Sequence, residues 1–243
     1  MRYRLDEPPF DGNGCGVGIA IVDSGINTDN PHVTAYASGV AIDRDGNEHN
    51  DMLDRLGHGT AVAAAIQEKA PGAELHVVRV FETSLSTSAA NLARAIDWAA
   101  KQGLRLANLS LGTPRREHTE LLRDSVLRAL EAGLLVVSAR SHRAMRWWPG
   151  SLPDVIGVVA DVECPRDEII VDDAAPGDGL TLRASPLPRP IPGVPPERNV
   201  RGISFAVANA TGFLARAMAS RAGSDWLAES IRHTEGEIGT TTG

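Results

Sequence analysis

The chain has 243 residues, more than most single domains but an ordinary size for one α/β unit. Hydrophobic residues at 42% and charged residues at 23% are those of a globular protein, and with aromatics at only 4% the core has to be built from Ala, Val, Leu and Ile. A net charge of -7 argues against nucleic acid and against an anionic membrane surface as partners.

Residues 1–16 read as an N-terminal extension ahead of the first apolar run, G-V-G-I-A-I-V at 16–22, which is a buried strand ending at Asp23. In D-R-L-G-H-G-T at 54–60, His58 stands between two glycines at the mouth of a helix expected over 61–69. Residues 75–80 are a strand, and Ser88 is a candidate N-cap for a helix through Leu92, Ile96 and Ala99 to Gly103. Another strand follows at 104–109. A further helix carries Leu122, Val126 and Leu130 and stops at Gly133. Strands at 133–138 and 154–160 come next. Residues 185–196 hold six prolines in twelve positions, which exclude a helix or a central strand and mark a surface loop spanning 185–198. The last predicted element is a helix from Ser204 towards Ser220.

Continuous apolar strands separated by helices predict a three-layer α/β fold: one doubly wound, mostly parallel sheet with helices on both faces, in a single domain over 1–243. In such sheets function collects beyond the carboxyl ends of the strands. Asp23, Asn108, Ser110 and residues 138–141 all lie there.

Taken singly, Asp23 reads equally as a turn residue or a functional one, His58 between its two glycines favours a functional role over a tight turn, and Ser204 reads as a helix N-cap. Together they supply what nucleophilic catalysis by serine needs. A hydroxyl is a poor nucleophile until an imidazole takes its proton, and a buried carboxylate has to hold that imidazole in the right tautomer. Their order along the chain, Asp, His, Ser, is one of three known for this constellation.

The surrounding residues resemble the subtilisin-like (subtilase) serine peptidases from about 17 to 214. G-I-A-I-V-D-S-G-I at 18–26 resembles that family's aspartate motif, G-H-G-T-A-V-A at 57–63 its histidine motif, and G-I-S-F-A at 202–206 its serine motif. The stretch at 95–112, W-P-G-S-L-P-D-V-I-G-V at 148–158 and A-P-G at 175–177 resemble three further blocks in the same order. The resemblance implies that Ser204 attacks the scissile carbonyl, His58 acts as general base and then acid, and Asp23 orients the ring. It implies that Ser110, Leu111 and Gly112 bind a peptide as an added strand, with Ser138, Ala139, Arg140 and Trp147 near the first specificity pocket. The backbone amide of Ser204 is expected in the oxyanion hole. No cofactor and no metal is implied.

Three departures stand out. The family's oxyanion asparagine is replaced: S-A-R-S at 138–141 puts Ser141 in its place and Arg140 in that of a glycine. Loss of that donor in subtilisin itself costs about a hundred- to a thousandfold in turnover. Ser141, Arg140 or His142 can compensate, or the Ser204 amide acts alone. Near the nucleophile, Ile203 and Ala208-Asn209 replace the usual Thr and Pro-His and are expected to affect packing. Finally, Trp147 before the W-P-G block implies a shallow specificity pocket.

The acidic stretch 43–51 has its glycine too early for a calcium loop and reads as a solvated turn. Two cysteines, Cys15 and Cys164, and an N-terminus without an apolar segment fit a reduced, cytoplasmic protein. No run approaches the ~18 apolar residues of a membrane span. The expectation is thus a serine endopeptidase of narrow, precursor-processing specificity acting on a peptide or protein, restrained by a regulatory or assembly partner. Acyl transfer to an amine is a related outcome. The alternative is an inactive subtilase fold that binds peptides or serves as an assembly subunit.

Overall fold

The structure is a computed structural model and describes residues 1–34, 36–142, 144–172, 177–195 and 198–235, with 233–235 by their backbone alone. Ala175 and Pro176 of the A-P-G block and Pro196 of the proline-rich loop lie outside the described residues.

In chain order the elements are β1 (Arg2–Arg4), β2 (Gly18–Asp23), β3 (Tyr36–Ile42), β4 (Glu48–His49), α1 (His58–Lys69), β5 (Glu74–Arg79), α2 (Ala89–Lys101) and β6 (Leu106–Leu109). After a 3-10 turn at Arg116–His118 come α3 (Thr119–Glu131), β7 (Leu135–Ala139), β8 (Ser141–His142), β9 (Met145–Arg146), β10 (Ile156–Ala160), β11 (Glu168–Val171), β12 (Thr181–Ala184), α4 (Ile203–Met218) and α5 (Arg221–Glu235).

Among the described residues ten strands form one sheet in the order β1-β11-β12-β10-β7-β6-β2-β5-β3-β4, while β8 and β9 make a separate hairpin. The centre, from β12 through β3, is parallel throughout. Antiparallel pairs appear only towards the edges, where β11 joins β12 and β1, and β4 joins β3. Side chains on β2 alternate between two cores, as the pleat requires. Ile19 and Ile21 pack with Val62, Ile66, Phe205 and Phe213 of α1 and α4. Ala20 and Val22 pack with Leu92, Ile96, Leu122 and Val126 of α2 and α3. This is the expected three-layer arrangement.

Helix α4 is buried on all sides, with fourteen of its sixteen residues inside, which is why its sequence is apolar all round. It sits between α1, the sheet and α5, so a residue in its first turn is held more firmly than one on a surface helix. Arg216 near its end is itself buried and donates to the carbonyls of Phe10 (2.7 Å) and Lys69 (3.0 Å) while pairing with Asp6. Phe10 packs edge-on against Phe213 and Trp226 at 5.3 and 4.9 Å. Residues 1–16 are therefore part of the fold, with β1 as its edge strand.

Several elements differ from the sequence reading. Helix α1 starts at His58 rather than at 61, and β1, β3, β11, β12 and α5 were not anticipated. β3 hides its character because Gly39 interrupts it: a Cβ there would stand 2.4 Å from the Val77 carbonyl of β5.

Candidate active site

Asp23 is the last residue of β2 and is fully buried. Its Oδ1 accepts from the Ser24 amide at 2.7 Å and meets His58 Nδ1 at 2.7 Å. A carboxylate oxygen only accepts, so Nδ1 of a neutral His58 carries the hydrogen and Nε2 keeps the free lone pair. Burial is the largest influence on His58 and pulls its pKa down. The Asp23 hydrogen bond, with the charges of Asp23 and Asp54, outweighs it and leaves the ring above its ordinary value.

Backbone geometry sets His58 at this spot. Gly57 precedes α1 with φ 78°, a left-handed conformation that favours glycine. Gly59 is required for a different reason: a Cβ there would lie 2.3 Å from the Gly25 carbonyl, so the first turn of α1 rests directly on the turn after Asp23.

Asp54, which sequence reasoning missed, closes the bracket. Its Oδ1 accepts from Ser24 Oγ (2.8 Å), Leu56 N (3.0 Å) and Gly57 N (2.8 Å), and its Oδ2 from Thr60 N (2.8 Å) and Thr60 Oγ1 (2.6 Å). Ser24 Oγ in turn accepts from Gly59 N at 2.9 Å. Burial raises the Asp54 pKa, but these hydrogen bonds more than offset it and the carboxyl stays below its usual range. The signal was present as an acidic residue just ahead of a helix start, where a carboxylate satisfies orphan amides.

Ser204 is the second residue of α4. Its Oγ donates to the Ser110 carbonyl at 3.2 Å, and Ser110 Oγ donates back to the Ser204 carbonyl at 3.4 Å. Ser110 Oγ also accepts from Asn108 Nδ2 (2.9 Å), whose Oδ1 accepts from Thr211 Oγ1 (3.0 Å). This chain fixes the register of α4 against the end of β6. Asn209 lies one turn further along and donates to the carbonyls of Ser185 (2.9 Å) and Leu187 (3.0 Å), so it anchors the start of the proline-rich loop.

His58 and Ser204 line one cavity of about 290 Å³ together with Ser110, Leu111, Gly112 and Trp147. His142 lines it too. The Trp147 indole packs on Gly112, where a Cβ would meet it at 3.1 Å. Ser138, Ala139 and Arg140 do not line it: Ser138 is buried with Oγ on the Leu111 carbonyl, Ala139 is buried, and Arg140 turns to the Asp178 carbonyl and carboxylate. Ser141 is also absent from the lining. A second cavity of about 390 Å³ adjoins the first turn of α1, between Gly57, Thr60 and Asn30 on one side and Pro188, Ile191 and Val200 on the other.

At 43–51 the Asp43 carboxylate accepts from the Asp45 and Asn47 amides and meets His49 Nε2, and the Asp43 carbonyl accepts from Asn91 Nδ2 of α2 at 2.6 Å. Among the described residues no group of three or more His, Cys, Asp or Glu is placed to hold a metal ion, and no helix is long and apolar enough to cross a membrane.

The sequence model of the subtilase family matches residues 14–235. The chain belongs to the subtilase family. Subtilisin Savinase of Lederbergia lenta is 35% identical to this subtilase over 143 residues, covering 53% of this chain and 49% of that protein. Minor extracellular protease Epr of Bacillus subtilis (strain 168) is 28% identical over 189 residues, 69% of this chain and 28% of Epr. This subtilase thus spans about half or less of the length of these relatives. Among solved structures, a cold adapted subtilisin-like serine proteinase superposes with a TM-score of 0.68 at 20% identity, covering 93% of this chain and 82% of that one. The prenylagaramide maturation protease PagA gives 0.59 at 22% identity, covering 82% and 74%. Both have the same fold.

Proposed function

We propose that this subtilase is a serine endopeptidase in which Ser204 is the nucleophile, His58 the general base and acid, and Asp23 the group that orients the ring. The observation that carries the reading is the 2.7 Å bond from His58 Nδ1 to the buried Asp23, which leaves Nε2 basic beside the cavity it shares with Ser204. Rotation about the Ser204 Cα–Cβ bond, between staggered wells, moves Oγ off the Ser110 carbonyl. Attack on the scissile carbonyl then passes the hydroxyl proton to His58 and forms a tetrahedral adduct. On collapse His58 gives that proton to the leaving amine, and an acyl-enzyme remains for water, or a second amine, to resolve.

Specificity is narrow in this reading. The Trp147 indole against Gly112 makes the first pocket shallow and favours small side chains before the cut. The proline-rich loop borders the cavity beside α1 through Pro188, Arg189 and Ile191 and acts as a lid or docking surface for a partner. A processing role has a precedent in the fold, since PagA is named as a maturation protease. A reducing, cytoplasmic setting accords with two unpaired cysteines, Cys15 exposed and Cys164 with its thiol pushed up to about 11 by burial.

Mass spectrometry of peptide mixtures incubated with wild type and Ser204→Ala tests the reading. New termini that depend on Ser204 and cluster after small residues support it, and identical spectra reject it. A second reading, an inactive peptide-binding fold, is favoured by the Ser204 hydroxyl resting on the Ser110 carbonyl instead of on His58. It predicts peptide binding without cleavage.

A further inference from the structure

A tetrahedral adduct at Ser204 develops a negative charge on the former carbonyl oxygen, and a preorganised donor aimed at that charge is worth several kcal/mol, about 2.7–4 in subtilisin itself. The family supplies an asparagine amide; here the corresponding residue is Ser141. The geometry points to His142 as the side-chain donor to this oxyanion, an inference that rests on the peptidase reading of Ser204.

Three placements carry it. Arg140 is committed elsewhere: its amide donates to the Val158 carbonyl at 2.8 Å, its stem lies 3.1–3.2 Å from the space beside Gly157, and its guanidinium donates to the Asp178 carbonyl at 2.7 Å. Ser141 faces the wrong way. In the β8–β9 hairpin Ser141 pairs with Arg146 and His142 with Met145, and neighbouring residues on a strand point to opposite faces. Arg146 lines a different cavity, with Arg116, Glu120 and Trp148, so Ser141 shares that face. His142 is on the other face and lines the cavity of His58 and Ser204.

The third placement is the support of the ring. His142 meets the Trp147 indole edge-on at 5.1 Å, and the Trp147 amide donates to the Arg140 carbonyl at 2.9 Å, closing the hairpin behind it. The ring nitrogen of an imidazole held this way that faces the oxyanion donates in the tautomer that protonates it and in the imidazolium form. It therefore performs the asparagine's task. As Ser204 Oγ bonds to the carbonyl carbon, the π pair moves onto oxygen and His142 donates a hydrogen bond to it. No proton leaves His142, and the donor is released when the C–N bond breaks.

Steady-state hydrolysis of an acetyl-Ala-Ala-Ala p-nitrophenyl ester tests this, with wild type, H142A, H142L and H142N. H142L fills the space beside Trp147 without a donor, and H142N restores one. The expected result is a fall in kcat on the order of 10²–10³-fold for H142A and H142L with KM changed less than threefold, and recovery of at least tenfold in H142N. H142A and H142L within threefold of wild type, or H142N as slow as H142L, would overturn the assignment. Absence of any Ser204-dependent turnover in wild type would sink the peptidase reading, and this inference with it, before a variant is measured.

Discussion

Gly59 rests on Gly25. A Cβ at position 59 would stand 2.3 Å from the Gly25 carbonyl oxygen and 3.2 Å from the Ser24 amide nitrogen, so helix α1 approaches the turn after β2 as closely as bare backbone allows. That approach lets two residues 35 positions apart share a 2.7 Å hydrogen bond.

Gly59→Ala is therefore expected to push the first turn of α1 off the Asp23 turn. A backbone oxygen cannot swing aside as a side chain can, so the cost is about 1–3 kcal/mol. At this chain length that lowers Tm by about 2–4 °C per kcal/mol. Displacing the ring by an ångström also costs on the order of a hundredfold in kcat/KM. Calorimetry and ester hydrolysis on the purified variant check both; unchanged values would show that the contact is not needed.

Asp54 holds the same joint by hydrogen bonds. Asp54→Ala strands the amides of Leu56, Gly57 and Thr60 at a helix start and frees Ser24 Oγ. A loss of about 2 kcal/mol or more follows. Because its pKa is lowered on folding, its contribution is present above the unfolded carboxylate value of about 3.9 and is lost as pH falls through the folded value. Denaturant midpoints of wild type and variant should converge in acid; a gap that persists at the lowest pH would argue against this.

The raised pKa of His58 gives a pH signature. Since the folded value lies above the unfolded one, the stability it lends is complete below about 6.5 and fades as pH climbs through the folded value. In the proposed mechanism catalysis runs the other way, because only the neutral ring accepts the Ser204 proton, so kcat/KM should rise with a midpoint above about 6.5. In Asp23→Asn the charge of Asp23 and its hydrogen bond as a carboxylate go, while burial and the charge of Asp54 remain, so the midpoint should drop and kcat fall on the order of ten-thousandfold. A wild-type midpoint at or below the ordinary imidazole value would contradict this.

Arg216 is a purely structural test. Arg216→Met keeps the stem but leaves the carbonyls of Phe10 and Lys69 without their donor. A loss of about 2–4 kcal/mol is expected, with ester kinetics unaltered below the melting range. A variant as stable as wild type would show that the N-terminal segment is held by its aromatic contacts and its pairing with β11 without help from Arg216.

The parallel centre of the sheet was readable because β2, β7 and β10 are nearly continuous apolar runs, and β5 and β6 apolar stretches with polar interruptions, between helical periods. What escaped was what local pattern does not encode. β3 has an exposed first half and a glycine where β5 presses close, and β1 becomes a strand only by pairing with β11 across 166 residues. At the site, Asp23, His58 and Ser204 were legible as motifs; Asp23 and His58 meet at 2.7 Å, and Ser204 lines the cavity that His58 also lines. Gly57 and Gly59 have separate tasks that the motif alone does not distinguish, a left-handed turn and a backbone contact. Residues 138–140 sat at a strand end as expected, yet their side chains are spent on Leu111, the core and Asp178. Which way a side chain leaves a strand end depends on the neighbouring hairpin, and no periodicity carries that.

The central claim is that the hydroxyl at 204 is a nucleophile activated through His58. Intact-mass spectrometry with peptide mapping after exposure to a fluorophosphonate measures it directly. The account predicts one covalent adduct, mapped to Ser204, absent in Ser204→Ala and formed at least a hundredfold more slowly in His58→Ala. No adduct on the folded wild type, or equal labelling of all three proteins, would contradict it.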